Sequence, residues 1–351
     1  MRIAIVGLGG VGGYFGGKLA RAYAGGEKHE IIFIARGDHL KAIQKRGMKL
    51  LTTEANYTVW PNIATDRPSL AGTFDLLFLC TKSYSLESSA RAVQKNISRD
   101  TIIIPLQNGI ESAARLSKVL PAGDIVSGCV YIISHIEKPG VIRQEGGACR
   151  LIFGTDDDRS AKKYSHILEI LLEAKINAVL SGNISEVLWN KYLLMCPLAS
   201  LTAATGKTYG EIIENPELSA LARELMQEVV ALARAKKIHL APNAVDKTME
   251  MVASFGYESK TSMQRDRENG RQTEIDALTS YLCRAGREEG FPLRFTTRCC
   301  AVLAAERPAE ACRIVCLPAP ALSYLFDKPT SFVIDSSAFN RVRLNHKRMK
   351  R

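Results

Sequence analysis

The sequence has no run of about 18 uncharged apolar residues, the length a membrane-spanning helix needs, so no such helix is expected. It also lacks the apolar core of a secretory leader. The first apolar stretch, Ile3 to Val6, breaks into glycines almost at once, and a cytoplasmic protein with reduced thiols is expected. None of its nine cysteines forms a Cys-x-x-Cys pair, so neither structural zinc nor a redox motif is supported and no metal is expected. Net positive charge is small outside the C-terminal end. The net charge is +11, but from Leu293 onward Lys and Arg exceed Asp and Glu by seven. The larger part of the chain has no dense basic helix interleaved with aromatics, so nucleic acid is not an expected partner. Its modest positive excess suits an anionic small molecule or a phosphate-rich cofactor. What is present is an ordinary globular composition, 46% hydrophobic and 24% charged, on a chain of 351 residues, long enough for two domains.

The first third alternates short apolar runs with helical patterns. Ile3 to Val6, Glu30 to Ala35, Phe74 to Cys80 and Thr101 to Leu106 predict strands, and their unbroken apolar character suits a sheet covered on both faces. Ile125 to Ile133 and Arg150 to Phe153 predict two more. The turn-prone Lys138-Pro139-Gly140 between them suggests an antiparallel addition to that sheet. After about Gly182 only helical spacing remains: Asn183 to Ala204, a helix opened at Pro216, and Asn269 to Glu289. The expected division is 1–182, 183–292 and a basic, cysteine-containing tail, 293–351. That tail shows no sustained helical period and has a weak claim to a core of its own.

Gly7-Leu8-Gly9-Gly10-Val11-Gly12 fits GxGxxG between the first strand and a helix. The first glycine permits a tight turn, and the second lets backbone approach a pyrophosphate. The third lets the helix pack on the strand with its N-terminus toward the phosphates. The expected fold class is an α/β N-terminal Rossmann-like domain plus an all-α C-terminal domain. Arg36 stands where NAD-preferring folds place an acidic residue on the ribose, and a guanidinium there favours NADP(H) through the 2′-phosphate. Asp38, just beyond, keeps NAD open. Lys82, at the carboxyl end of a strand, is placed to face the ligand crevice, although surface lysines are commoner.

Three further segments draw attention. Asn108, in Gln107-Asn108-Gly109, follows a strand at the crevice edge, and Asn-Gly is also simply a good turn. Lys191 interrupts the apolar helix of Trp189-Asn190-Lys191-Tyr192, where a snorkelling lysine is the plainer reading. Glu274 sits in a charged stretch read as helix, where a solvated or capping carboxylate is the plainer reading.

Taken in order, these pieces, with Arg36, Thr81-Lys82, and Thr261-Ser262-Met263 followed by Glu274, resemble the ketopantoate reductase (2-dehydropantoate 2-reductase) family over about residues 1–292. The resemblance implies NADPH-dependent reduction of a 2-oxo acid between two domains. Gly7, Leu8, Gly9, Gly10, Val11, Gly12, Arg36, Lys82 and Asn108 would hold the cofactor, and Asn108 and Ser262 the substrate. Lys191 would be the proton donor and Glu274 its orienting partner, because reducing a ketone carbon leaves negative charge on oxygen. It implies pantothenate biosynthesis and a small-molecule substrate, and leaves room for a homodimer. A reductase of a different 2-oxo acid or an imine, or a noncatalytic NADP-binding regulatory protein, are the alternatives. Two departures stand out. The family carries asparagines four and eight residues after the lysine, where this chain has Met195 and Ala199, with Ser200 and Thr202 close by. After Gly290-Phe291-Pro292, Arg- and Cys-rich sequence stands where the family has a terminal helix, as a frame-shifted reading would produce.

Overall fold

The computed structural model describes residues 1–304 apart from Pro292. The first half runs β1 (Arg2–Val6), α1 (Gly10–Ala22), β2 (Glu30–Ile34), α2 (Gly37–Arg46), β3 (Met48–Leu51), β4 (Asn56–Val59), β5 (Ile63–Thr65) and β6 (Phe74–Leu79). It continues α3 (Leu86–Val93), β7 (Ile97–Pro105), α4 (Ser112–Ser117), β8 (Asp124–Ile125), β9 (Ser127–Lys138), β10 (Val141–Gly154), α5 (Asp158–Lys162), α6 (Ser165–Glu173) and β11 (Asn177–Ser181). The second half is helical: α7 (Ile184–Thr205), α8 (Tyr209–Glu214), α9 (Pro216–Ala235), α10 (Ala244–Ala253), α11 (Ser262–Glu268), α12 (Thr279–Glu288) and α13 (Arg294–Ala304).

The apolar runs build a parallel sheet in the order β5-β2-β1-β6-β7-β8. Both of its faces are buried, as unbroken apolar strands require. Ile3, Ile5 and Phe33 face a core shared with α1, while Ala4, Ile32 and Leu77 face α3 and α4 through Leu86 and Leu116. The carboxyl ends of β1, β6 and β7 therefore open on one crevice edge.

Three expectations are corrected. The hairpin of β9 and β10 is antiparallel and turns at Pro139-Gly140, but it does not extend the parallel sheet. It belongs to a second sheet, β11-β10-β3-β4 with β9 on β10. The reason is α1, which packs against β9, β10 and β3 as well as β1 and β2. Ile142, Leu151 and Phe153 thus bury against it from the far side. The charged stretch 269–289 is not one helix: α11 stops at Glu268 and α12 starts at Thr279. Gly270, with φ +62°, takes the left-handed conformation that ends helices, and the Arg271 N–H donates to the Asp266 carbonyl at 2.8 Å. Glu274 lies in the irregular link that follows.

The third correction concerns the start of the tail. Residues 294–304 form α13, which packs on α7, α9 and α12, with Leu293, Cys299 and Val302 in the helical core. Glu228 of α9 anchors it. Its carboxylate accepts the N–H groups of Phe295 (2.9 Å) and Thr296 (2.8 Å) and the Thr296 hydroxyl (2.5 Å). It thereby caps a helix end that would otherwise be left with unpaired donors. Burial pushes the Glu228 carboxyl up, and these donors pull it back toward the ionised form they need. The remainder of the tail, 305–351, lies outside the described residues. Among the described residues no helix is long and apolar enough to cross a membrane.

Replacing Glu228 with Ala strips three donors of one acceptor, and is expected to lower unfolding stability by about 2 kcal/mol. Denaturant unfolding measures this, and hydrogen exchange should quicken first at Phe295 and Thr296.

Candidate active site

The glycine turn is built as its spacing requires. Gly7 has φ +92°, and a Cβ there would meet the Thr81 backbone nitrogen at 2.7 Å. A Cβ on Gly12 would stand 2.1 Å from the Gly7 carbonyl, so only glycine lets α1 start this close to β1. Gly9 is different: nothing lies within 4 Å of its notional Cβ, which leaves its backbone approachable. Gly9 also caps α1 without a side-chain hydrogen bond, and the first turn of α1 carries no acid. The buried Thr81 hydroxyl and the Gln107 carbonyl oxygen close by have no protein partner. Free helix N–H groups, an open glycine and an uncommitted hydroxyl fit a pyrophosphate. Leu8 is buried and Val11 half-buried, both packed in the core, so only their backbone is left to face the turn. Arg36 sits apart, exposed at the N-cap of α2. Asp38 pairs instead with Lys41, at 3.2 Å.

At the same crevice edge, four of the residues singled out from the sequence meet in one network. Asn108, in the loop after β7, accepts from Lys191 Nζ at 3.0 Å through Oδ1 and donates through Nδ2 to Glu274 Oε2 at 3.2 Å. The amide thus stands between lysine and carboxylate, and Glu274 acts on Lys191 through it. Glu274 is 4% exposed, and its other oxygen accepts the Ser83 N–H at 2.9 Å. Lys82 Nζ lies 3.6 Å from Glu274 and 2.9 Å from Asp266. Lys191, on α7, is 9% exposed. Burial lowers its pKa below the ordinary lysine value, and the nearby Cys129 and Glu274 only partly offset this. For Lys82 burial also works downward, but Glu274 and Asp266 outweigh it and its pKa is raised. Two lysines about one carboxylate are therefore tuned in opposite directions, the pattern of a site that separates an acid from an anchor.

Ser262 does not join this network by hydrogen bond. It is exposed at the first turn of α11, one turn before Asp266 on the same helix face. Asp266 and Tyr131 escaped the sequence reading. Asp266 had a signal in its four-residue spacing from Ser262. Tyr131 had none: β9 carries its ring 5.8 Å from the Lys191 ammonium. Among the described residues no group of three or more His, Cys, Asp or Glu could hold a metal ion.

Comparison with known proteins decides the family. Residues 3–157 match the profile described as ketopantoate reductase PanE/ApbA, and residues 183–306 match its C-terminal counterpart. The chain belongs to the ketopantoate reductase family. It is an oxidoreductase with a nicotinamide cofactor. It is 29% identical over 307 residues to the 2-dehydropantoate 2-reductase of Mesorhizobium japonicum, covering 82% of this chain and 92% of that one. The crystal structure of a PanE/ApbA family ketopantoate reductase from Ralstonia eutropha JMP134 superposes with a TM-score of 0.78 at 29% identity, over 86% of this chain and 97% of that one. The fold is also that of D-mandelate dehydrogenase solved with NADH and anilino(oxo)acetate, with a TM-score of 0.77 at 22% identity over 86% and 97% of the two chains. The family match runs through residue 306 and so includes α13.

Against the family pattern, Met195 is half-buried and Ala199 fully buried, one and two turns beyond Lys191. The neighbouring hydroxyls are engaged elsewhere, Ser200 with Thr279 and Thr202 with Thr261, each at 2.7 Å. Neither is free to replace a missing amide.

The Lys191 ammonium should lose its proton at a pH below the ordinary lysine range, since burial leads the shift. Glu274→Gln removes a charge that favours the ammonium and should move the titration lower still. Lysine-selective labelling with NMR titration, assigned against Lys191→Arg, reads both. A Lys191 pKa at or above the ordinary value would contradict this electrostatic account.

Proposed function

We propose that the protein catalyses NADPH-dependent reduction of a 2-oxo acid, with 2-dehydropantoate to pantoate, in pantothenate biosynthesis, as the first candidate reaction. The observation that carries this reading is the buried Lys191–Asn108–Glu274 relay at the crevice edge beside the glycine turn. Residues 1–182 hold the cofactor in this reading, and the helical half from residue 183 supplies the acid. A nicotinamide cofactor bound there would supply a hydride to the carbonyl carbon. Lys191 gives its proton to the carbonyl oxygen and stabilises the negative charge that develops there. A lowered pKa makes that proton easier to give near neutral pH, while Asn108 and Glu274 keep the ammonium aimed. Ser262 binds the substrate carboxylate or a hydroxyl. Lys82, held charged by Glu274 and Asp266, anchors the cofactor. Arg36 reads the 2′-phosphate, its exposed guanidinium standing at the end of β2 beside the open start of α2. A cytoplasmic homodimer acting on a small molecule belongs to the same reading.

One observation favours a different 2-oxo acid. Met195 offers no hydrogen bond where the family carries an amide, and the hydroxyls of Ser200 and Thr202 are taken. Recognition of a hydroxylated substrate is weaker by about 0.5–1.5 kcal/mol for each bond lost.

The test is NADPH consumption with 2-dehydropantoate and a panel of 2-oxo acids. Lys191→Ala should lower kcat about a hundredfold or more, with NADPH affinity little changed. Near-normal turnover in that variant would move the proton donor elsewhere.

NADPH should bind more tightly than NADH, and Arg36→Ala should narrow the difference, because the 2′-phosphate is the one feature separating the two cofactors. Fluorescence titration with each cofactor reads this. Unchanged discrimination would assign the phosphate to another residue.

A further inference from the structure

A cavity of about 330 Å³ lies between the β9–β10 hairpin and the first turns of α7. Its walls are Tyr131, Ala148, Arg150, Ile152, Val187 and Asn190. Tyr131 and Arg150 are direct cross-strand partners, so their side chains share one face of the hairpin. Val187 precedes Lys191 by four residues and shares its face of α7. Tyr131 links the two places, since the ring that lines the cavity also lies 5.8 Å from the Lys191 ammonium. The cavity thus adjoins the Lys191 site, with the Tyr131 side chain common to both.

Its chemistry is lopsided. Ala148, Ile152, Val187 and the tyrosine ring make it mainly apolar. Asn190 already donates to the Glu186 carbonyl at 2.9 Å. Arg150 is exposed, and no carboxylate among the described residues pairs with it. Arginine carries its charge at every physiological pH and offers a planar fork that matches a carboxylate. A short apolar cavity with a proton donor near one end and a free guanidinium in its wall is complementary to a molecule with an anionic group beyond an apolar chain.

We infer that this cavity is the subsite for the distal end of the substrate, and that Arg150 selects 2-oxo acids carrying a second carboxylate. The inference rests on the reading of the protein as a 2-oxo acid reductase, and it names the substrate class that Met195 and Ala199 leave open. Those residues weaken recognition of a hydroxyl near the reacting carbon, while Arg150 supplies recognition of charge farther along the chain.

The test compares the full-length protein's kcat/KM for 2-oxoglutarate and 2-oxoadipate with that for 2-oxopentanoate and 2-oxohexanoate, which match them in carbon count. The diacids should be preferred by about tenfold, as a charge-assisted pair warrants. Arg150→Gln should bring that ratio near unity, and Arg150→Lys should keep part of it. Because the ratio is internal to each variant, loss of folded protein cannot imitate the effect. Calorimetric titration with 2-oxoadipate supplies a second readout, with weaker binding expected in Arg150→Gln. If monoacids are reduced, diacids are not preferred and the ratio ignores Arg150, the subsite is wrong and the reductase reading stands. If neither these acids nor 2-dehydropantoate is reduced, the reductase reading falls. Calorimetry then decides the cavity: Arg150-dependent binding supports it, and its absence removes it.

Discussion

One amide side chain decides how a buried lysine is kept in a usable state. An ammonium removed from water is unstable unless acceptors and negative charges around it compensate, and Lys191 is almost wholly buried. Asn108 compensates with a carbonyl oxygen and passes the influence of Glu274 on through its NH₂ group. The amide orientation is dictated from both ends, because only its oxygen can face a lysine and only its nitrogen can face a carboxylate. Glu274 in turn is held by the Ser83 N–H and neighboured by Lys82. The lysine is therefore compensated without direct contact with a carboxylate, which keeps its proton available.

The second sheet gives this arrangement its other wall. α1 lies between the two sheets, so the hairpin that buries Ile142, Leu151 and Phe153 against it also passes the glycine turn. A Cβ on Gly10 would meet the Ser134 carbonyl at 2.1 Å, and three residues back along β9 Tyr131 reaches Lys191. A single strand thus borders both the proposed phosphate-binding turn and the proposed acid.

The parts legible in the sequence were those where one residue type has one physical use. The glycine turn was readable because Gly7 and Gly12 each answer a steric demand, while Gly9 leaves its backbone approachable. Lys191 and Glu274 were readable only as members of an ordered set, since each alone looks like surface chemistry. The break before Glu274 was written in Asn269-Gly270, but the charges on either side read as one helix. α13 was missed because its buried stripe is Thr296, Cys299 and Val302, small side chains with little apolar contrast. β3 and β4 are short, and what makes them strands is pairing with each other and with β10, which no local pattern announces.

The ion pair between Lys82 and Asp266 joins the sheet half to the helical half, and the lysine side chain is 40% exposed. Dissolved ions reach such a pair, and at about 0.1 M salt charges are screened over roughly 10 Å. The contact between Lys191 and Asn108 is sheltered from that screening. Ionic strength therefore acts as a dial on how firmly the halves are clasped, and turning it leaves the charge on the buried lysine almost untouched.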